Sequence, residues 1–423
     1  MIKDNLNIIV VNDFANINGG AAKVATDTAI GLSENHCNVY YFCGTGSIDP
    51  TLLNNQIRGN IHLGQQEVFN SKNKLSALIR GLWNHKAYRE MKSLLKGFDN
   101  TKTIIHVHGW TKVLSISPIV ASLRAGFKVV ITLHDFFIYC PNGGFYNYKK
   151  HSLCSLKPLS GRCLASNCDS RNYSIKIYRV IRSAIQRFSL KFYKKRLNFI
   201  SISELSDSLL RPYTKKFASV DYVENPIDIF RVPKVDVSKN NLAVYIGRIS
   251  NEKGAVYLCE AIQKLGNPPV TFVGLGNMMP ELKLQFPELN FVGWQNKEQI
   301  KELLMKARFL VFPSVCYETY GLVVQEAAAF GVPAIVSNST AACEFVEHGV
   351  DGLIFKSKDI NDLSEKLNKM YSDDDYVSNL GSNMYNKFWG NNHSMSKYVN
   401  DLKNVYEQIL DTENKCDNYS FKI

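Results

Sequence analysis

Short apolar runs alternate with helix-forming segments along most of the chain, and this alternation is the strongest constraint on its fold. Strands buried on both faces of a parallel sheet appear as continuous apolar runs, and regular strand–helix spacing places successive strands in parallel. The pattern therefore predicts an α/β protein with two Rossmann-like, doubly wound sheets in tandem. The runs lie at residues 7–11, 38–44, 103–109 and 128–137, and then at 241–249, 270–277, 289–295, 309–312, 333–337 and 352–355.

The length of 423 residues also favours two domains, because a single hydrophobic core seldom grows that large. Residues 218–234 hold short apolar pieces, Asn225-Pro226 and a further proline, and we interpret them as an interdomain linker. This interpretation predicts an N-terminal domain at residues 1–220 and a C-terminal domain at 221–393.

Residues 313–331 combine a loop acid with a helix acid directly after a buried strand. Glu318 lies in the predicted loop and Glu326 in the predicted helix, which ends near Gly331. A helix N-terminus favours phosphate, whereas a carboxylate accepts hydrogen bonds from sugar hydroxyls. The stretch is thus consistent with a nucleotide-sugar pocket. The alternative is a solvated loop acid and an ordinary glutamate on a helix surface.

Two neighbouring strand ends in the same half supply cations and glycines. Arg248 and Lys253 flank the start of a helix, where a guanidinium and an ammonium can both reach a diphosphate. Gly274 and Gly276 follow the next strand and allow close backbone approach. Because carboxyl ends of parallel strands meet at one edge, these residues and Glu318 predict one binding site.

The first half offers a weaker set of candidates at its own strand ends. Gly19 and Gly20 open a helix after the first strand, either to approach a phosphate or to make a tight turn. His134 ends a later strand. His106 and His108 have a spacing that could bind a metal, but no third ligand is evident nearby.

Four of the ten cysteines cluster in a long loop-like segment, residues 141–171 and its edge. Their spacing is wider than in zinc ribbons and fingers, so we interpret them mainly as packed thiols. A structural zinc site is the alternative interpretation. The four are Cys140, Cys154, Cys163 and Cys168.

A net charge of +12 requires a polyanionic partner or surface, and one segment concentrates the charge. Residues 173–197 predict a helix with an apolar stripe, and no acid occurs from 170 to 203. The helix is either packed on the core with a solvated cationic face, or bound to an anionic membrane surface. The stripe contains Ile177, Ile181, Ala184, Phe188 and Phe192.

Other classes of partner and location find little support in the sequence. Basic residues are not interleaved with exposed aromatics in a known nucleic-acid motif, so we expect no nucleic-acid partner. No apolar run is long enough to span a bilayer, and the N-terminus enters a strand directly. We therefore expect a cytoplasmic protein, peripheral on the inner face of the plasma membrane.

Several segments together resemble the retaining glycosyltransferase family 4, which has the GT-B fold. They are NINGGAAKVA near the start, LHD at 133–135, GRISNEKG at 247–254, FVGLG at 272–276, FVGW at 291–294 and ETYGLVVQEAAAFG at 318–331. They span almost the whole chain, and 133–148 with the following cysteines is similar to a bacterial surface-polysaccharide branch. The resemblance implies two domains facing a cleft, with a last helix, 394–423, crossing back to the N-terminal domain.

The resemblance also implies a role for each matching residue. Arg248 and Lys253 would hold the donor diphosphate and stabilise it as the leaving group, and Glu318 would bind the transferred sugar. Glu326 would bind the ribose, and His134 would contact the sugar or a phosphate across the cleft. The base would lie against residues 291–294, including Val292. Further donor contacts would come from Gly19 and Gly20, and from the backbone of Tyr320, Gly321, Leu322 and Val323.

The predicted function is transfer of a hexose or N-acetylhexosamine from a nucleotide-diphosphate sugar, with retention of configuration. UDP-sugars are favoured, then GDP-sugars; the expected acceptor is a lipid-linked saccharide, and no metal or other cofactor is required. One alternative is an inverting transferase with Asp13 or Asp135 as the base. Another is a nucleotide- or anion-binding protein without catalytic activity.

Overall fold

The computed structural model describes residues 6–54, 56–227, 229–391 and 394–417. The end of the predicted last helix, from residue 418 onward, lies outside the described residues. The strands are β1 (Asn7–Phe14), β2 (Asn38–Thr45), β3 (Gly59–His62), β4 (Thr103–Val107), β5 (Lys128–Thr132), β6 (Tyr146–Asn147), β7 (Ser152–Leu153), β8 (Leu197–Ser201), β9 (Val220–Tyr222), β10 (Leu242–Ile246), β11 (Val270–Val273), β12 (Asn290–Gly293), β13 (Ala307–Phe312), β14 (Ala334–Ser337) and β15 (Gly352–Phe355).

Helices fill the connections between most of these strands. They are α1 (Gly20–Glu34), α2 (Pro50–Asn54), α3 (Lys74–Leu82), α4 (His85–Leu94), α5 (Ser117–Arg124), α6 (Gly161–Ala165), α7 (Tyr173–Leu190), α8 (Glu204–Thr214), α9 (Ala255–Lys264), α10 (Met279–Gln285), α11 (Lys297–Met305), α12 (Leu322–Ala329), α13 (Ala342–Phe345), α14 (Ile360–Ser372), α15 (Asp374–Gly390) and α16 (Met395–Asp417).

Two parallel sheets confirm the predicted α/β class. The first has the strand order β3-β2-β1-β4-β5-β8-β9, and the second β12-β11-β10-β13-β14-β15. Every pair of neighbouring strands in both sheets is parallel. Each strand order reverses beside its first strand, β1 or β10, and ligands of doubly wound sheets bind at such crevices.

Apolar strand residues explain why the sheets are buried on both faces. All five residues of β4 and of β5 are buried, as are all six of β13. Helix α12 is short, but its alanines at 327–329 are fully buried against the second sheet, where small side chains allow close packing. The carboxyl ends of β10 and β13 are thus fixed side by side.

The last helix packs on the first sheet's side of the molecule. Tyr398, Val399 and Leu402 of α16 belong to the same buried cluster as Val24 and Ala29 of α1. The hydroxyl groups of Thr28 and Tyr398 are 2.7 Å apart, and any side chain at Gly31 would collide with Met395.

Two predicted segments differ from the structure. The helix predicted for 173–197 ends at Leu190, because the chain must turn to enter β8 at Leu197. The predicted linker contains β9, which pairs with β8 and extends the first sheet to Tyr222. Three residues give too little periodicity for such a strand to be recognised from sequence.

In the part of the chain that is described, no helix combines the length and the apolar character needed to cross a bilayer.

Candidate active site

Lys253 and Glu318 form an ion pair at the crevice between β10 and β13. Lys253 ends a 3-10 turn before α9, and Glu318 follows β13. Lys253 Nζ donates to Glu318 Oε1, and Ser314 Oγ donates to the same oxygen at 2.9 Å. Burial alone would raise the pKa of Glu318, but Lys253 and Ser314 outweigh it and lower that pKa. The two residues are therefore held as a charged pair.

The pKa of Lys253 is also shifted in the direction that favours the charged form. Burial alone would lower it, but the charge of Glu318 outweighs this, so the pKa of Lys253 is raised. Only 23% of the Lys253 side chain is exposed, which means that the ammonium is largely desolvated yet protonated. A cation in such a place is well suited to a diphosphate.

Arg248 supplies a second, more exposed cation to the same crevice. Its side chain is 63% exposed, and its Nη2 lies 3.6 Å from Glu252 Oε1. An exposed pair at this distance is weak. The guanidinium can therefore leave Glu252 for an anionic ligand at little cost.

Glycines at three points allow the loops of the site to approach one another. A Cβ at Gly274 would lie 2.0 Å from the carbonyl oxygen of Gly247, and one at Gly276 2.0 Å from that of Ile249. These glycines therefore support the loop that carries Arg248, whether or not they also contact a ligand. Gly321 has a φ of 87° and caps α12 at its N-terminus.

Glu326 contacts the N-terminal half of the molecule through a residue that the sequence analysis missed. Lys23 Nζ of α1 lies 2.8 Å from Glu326 Oε1 of α12. Nearby, a Cβ at Gly20 would be 3.0 Å from Leu322 Cδ1, so the two helix N-termini are close. Lys23 follows the Gly19-Gly20 pair by one helical turn, which is the signal that could have identified it.

His134 lies opposite the ion pair, at the end of β5. Its carbonyl oxygen accepts a 2.9 Å hydrogen bond from Thr319 Oγ1, which fixes the two halves of the cleft to each other. Its Nε2 is 2.9 Å from His108 Nδ1, and the two rings are stacked. Burial lowers the pKa of His134 to about 3, so the imidazole is neutral near pH 7.

His106 extends this histidine row into the core. Its Nε2 is 2.7 Å from Thr132 Oγ1, and its Nδ1 is 2.6 Å from the Tyr406 hydroxyl of α16. Burial, and less strongly His134, lower the pKa of His106 to about 3. The row is explained by packing and hydrogen bonding without a metal.

The two aspartates considered as alternative bases differ in exposure and in hydrogen bonding. Asp13 is 3% exposed, and its oxygens accept hydrogen bonds from the backbone N–H groups of Lys112, Val113 and Leu114 at 2.7–2.9 Å. These bonds give Asp13 a structural role. Asp135 is exposed and accepts one bond from Phe137 N, and desolvation by the surrounding protein raises its pKa to about 6.

A cavity of about 310 Å³ lies between the two sheets, beside the Lys253–Glu318 pair. Eight predicted site residues line it: Gly20, His134, Arg248, Lys253, Glu318, Tyr320, Gly321 and Leu322. Six others lie outside that lining: Gly19, Gly274, Gly276, Val292, Val323 and Glu326. Ser314, Thr319 and Asn225 are polar lining residues that the sequence analysis did not identify.

The cysteine-rich loop holds a buried lysine rather than a metal-binding group. Lys176 is 1% exposed, and its Nζ lies 3.2 Å from Cys168 Sγ and 3.5 Å from Cys163 Sγ. Cys140 Sγ is 3.0 Å from Asn142 Oδ1. Across the described ranges, three or more His, Cys, Asp or Glu side chains do not come together in a group that could hold a metal. The contacts favour packed thiols.

We expect Gly254→Ala to weaken the site more than a glycine substitution of equal backbone strain elsewhere. Gly254 has a φ of 74°, and an added Cβ would lie 1.9 Å from the Pro313 carbonyl oxygen. The left-handed conformation costs an alanine about 1–2 kcal/mol, and the collision adds to this and displaces Lys253. Urea unfolding and donor turnover measure the two effects.

Gly266→Ala is the matched control for that substitution. Gly266 has a φ of 79° and nothing within 4 Å of an added Cβ, so it isolates the backbone cost. Equal loss of stability and turnover in the two variants would contradict the role given to the Gly254–Pro313 contact.

The C-terminal half of the chain matches the model of a known protein family. Residues 227–387 match the model of the family Glycosyl transferases group 1. The match is confined to the C-terminal half of the chain.

Curated relatives resemble only part of the chain. An uncharacterized glycosyltransferase of Methanocaldococcus jannaschii is 29% identical over 183 residues, 40% of this chain and 45% of the relative. The Escherichia coli UDP-Gal:alpha-D-GlcNAc-diphosphoundecaprenol alpha-1,3-galactosyltransferase is 28% identical over 187 residues, 41% of this chain and 47% of the relative. The chain thus spans about half the length of the curated relatives it matches.

Solved structures resemble nearly all of the chain and show the fold. Anabaena HepE in complex with UDP and glucose has a TM-score of 0.65 at 16% identity, covering 95% of this chain and 100% of that one. Sucrose-phosphate synthase from Thermosynechococcus elongatus has a TM-score of 0.67 at 17% identity, covering 97% and 100%. The fold is that of GT-B glycosyltransferases.

Proposed function

We propose that the protein is a hexosyltransferase that uses a nucleoside-diphosphate sugar as donor and a saccharide as acceptor. The observation that carries this proposal is the half-buried Lys253–Glu318 pair beside Arg248, at the N-terminus of α12 in the interdomain cavity. Cations beside a helix N-terminus suit a diphosphate, and a carboxylate next to them suits the hydroxyls of the attached sugar.

The two domains divide the substrates in this proposal. The C-terminal domain binds the donor, because Arg248, Lys253, Glu318 and the α12 N-terminus all belong to the second sheet. The N-terminal domain, with His134, binds the acceptor and closes the cleft. Glu326 accepts hydrogen bonds from the ribose, and the contact with Lys23 orients that carboxylate.

Bond breaking in this proposal depends on electrostatic stabilisation. As the bond between the anomeric carbon and the phosphate oxygen breaks, negative charge grows on the diphosphate. Lys253 and Arg248 stabilise that charge, and desolvation of Lys253 strengthens its effect. The neutral His134 can contact a sugar hydroxyl without repelling the cations across the cleft.

Retention of configuration is our proposal for the stereochemistry. Asp13 is occupied by backbone donors and does not line the cavity. The leaving phosphate oxygen then takes the acceptor proton on the same face of the sugar, and no metal or other cofactor takes part. An inverting mechanism with Asp135 as base has one observation in its favour, the raised pKa of about 6. The anomeric configuration of the product, measured by proton NMR coupling, decides between them.

We propose a UDP-sugar as donor, with GDP-sugars next, and a lipid-linked saccharide as acceptor in bacterial surface-polysaccharide synthesis. The support is the E. coli relative, named for UDP-Gal and a diphosphoundecaprenol acceptor, and HepE, named with UDP and glucose. The enzyme would then work at the inner face of the plasma membrane.

The test is a screen of UDP-, GDP- and ADP-sugars for release of nucleoside diphosphate, with wild type and Glu318→Ala. We expect one donor class to be turned over by wild type, and the variant to lose about 10²-fold or more, because it lacks the hydroxyl acceptor and the partner of Lys253. Equal rates in the two proteins would contradict the role of Glu318. No turnover of any donor by wild type would favour a binding protein.

A further inference from the structure

Helix α7 is packed with its polar side inward and its apolar side outward. Its buried residues include Lys176, Arg182 and Gln186, whereas Ile181 and Phe188 are exposed. Both orientations considered from the sequence assumed that the cationic side faces outward. The structure contradicts this for Lys176 and Arg182.

Specific hydrogen bonds hold this orientation. Arg182 Nη1 donates to the Thr111 carbonyl at 3.0 Å. Gln186 accepts a bond from Trp110 Nε1 at 2.9 Å and donates to the carbonyl of Ile138 at 3.0 Å. Rotation of the helix would break these bonds and leave buried polar groups unpaired, which is unfavourable.

The outward side lies beside exposed apolar residues of the neighbouring helix α3. On α7 and the turn after it, exposed fractions rise from 36% at Ile177 and 46% at Ile181 to 60% at Phe188 and 66% at Phe192. On α3, Leu75 is 71% exposed and Ile79 is 59% exposed. The Tyr178 hydroxyl donates to the Leu78 carbonyl at 3.1 Å, so the two helices are in contact. We call these six residues the apolar face.

Lysines surround the apolar face, and carboxylates are missing from its two segments. Residues 68–89 and 170–203 contain no Asp or Glu. Lys74 is exposed beside Leu75, and Lys194 and Lys195 are exposed beyond Phe192. Lys191 Nζ lies 4.1 Å from the centre of the Phe188 ring. The face is therefore apolar at its centre and positive at its rim.

We propose that the apolar face inserts into the headgroup region of an anionic lipid bilayer. Exposed Phe, Leu and Ile side chains gain free energy there, and the surrounding lysines interact with lipid phosphates. A second copy of the chain is a poorer occupant, because two such faces would bring lysines together without opposing acids. The inference adds a partner to the proposed function but does not depend on the donor site.

The position of α7 determines where a bilayer bound to the apolar face would lie relative to the cleft. Its buried side holds the loop after β5 through Gln186, and that loop begins at His134, which lines the cavity. A bilayer on the apolar face would therefore lie on the acceptor side of the cleft. A saccharide attached to a lipid carrier in the same bilayer would reach the cavity from that side.

The test compares the double variant Phe188→Ser/Phe192→Ser with the full-length wild type in vesicle sedimentation. The probe is vesicles containing phosphatidylglycerol, with phosphatidylcholine vesicles as the neutral reference. We expect wild type to sediment with the anionic vesicles and the variant's affinity to fall by about tenfold or more, because two aromatic anchors are removed. Both residues are exposed, so the variant should keep the far-UV circular dichroism and thermal midpoint of wild type.

The control is Phe230→Ser/Leu284→Ser, which removes two even more exposed apolar side chains from the C-terminal half. We expect this control to bind vesicles as wild type does. Binding of the Phe188/Phe192 variant at wild-type affinity would overturn the proposal, and so would a wild type that binds no vesicles. If wild type is a dimer in solution and the Phe188/Phe192 variant is a monomer, the apolar face binds a second copy of the chain and the bilayer proposal is overturned. If a variant loses turnover of a soluble donor, that result bears on the proposed function and leaves the membrane proposal unaffected.

Discussion

Lys253→Met is expected to lower kcat for transfer by about 10²- to 10³-fold. Methionine keeps the length and apolar stem of the lysine but removes the ammonium that neutralises charge on the departing diphosphate. The change acts on the transition state, so kcat should fall more than KM rises. Release of nucleoside diphosphate from the donor identified by the screen measures both constants.

The same substitution leaves Glu318 without its cation. The carboxylate is largely buried, so we expect Lys253→Met also to lower the free energy of unfolding, and Glu318→Gln in the double variant to restore part of it. Activity should stay low in that double variant, which separates the catalytic effect from the loss of stability. The control is Lys264→Met, at the exposed end of α9, where Lys264 donates a hydrogen bond to Asn361. A Lys253→Met enzyme as active as the Lys264→Met enzyme would contradict the assignment.

Acidification from pH 7 to pH 5 is expected to destabilise the protein through its buried histidine row. Burial lowers the pKa of His106 and of His134 to about 3, and that of His108 well below its usual value. The unfolded chain takes up these protons below about pH 6.5, whereas the folded protein does not. This contribution to stability is therefore fully present above that pH and is lost as the pH falls.

The size of the effect follows from the linkage relation. Each histidine contributes about 2 kcal/mol to the difference in unfolding free energy between pH 7 and pH 5, so the row contributes about 6 kcal/mol. His106→Asn should reduce the difference by about 2 kcal/mol, whatever its effect on stability at pH 7. Urea unfolding at the two pH values measures this.

The control for the acid experiment is His36→Asn. His36 is exposed and has a φ of 65°, a conformation that asparagine tolerates. We expect this variant to show the same pH dependence as wild type. If His106→Asn behaves like His36→Asn, the protons taken up on unfolding do not come from the histidine row.

Much of the second-sheet side of the cavity could be predicted from sequence because its residues follow strands with strong apolar patterns. Residues 309–312 predict β13, and Glu318 comes directly after it; the GRISNEKG segment places Lys253 after β10 in the same way. The carboxyl ends of adjacent parallel strands converge, so strand assignment was enough to bring these side chains together. The pairing of β10 with β13 then made the crevice.

The first-sheet side of the cavity was predicted less well because its contacts join distant parts of the chain. Lys23 meets Glu326 across 303 positions, and Tyr406 meets His106 across 300. Local periodicity carries no information about such pairs. His106 and His108 were considered as a possible metal site and His134 as a donor contact, whereas the structure brings the three rings together in one row.

The sequence by itself determined the α/β class, most strand positions and the chemistry at the strand ends, because these depend on neighbouring residues. Only the tertiary structure decided which side of α7 faces the solvent. An amphipathic pattern gives a helix two unlike faces, and the fold buried the polar one because Thr111, Ile138 and the cysteine loop provide partners for Arg182, Gln186 and Lys176. Buried polar groups are stable only where such partners exist, and their position is set by the whole fold.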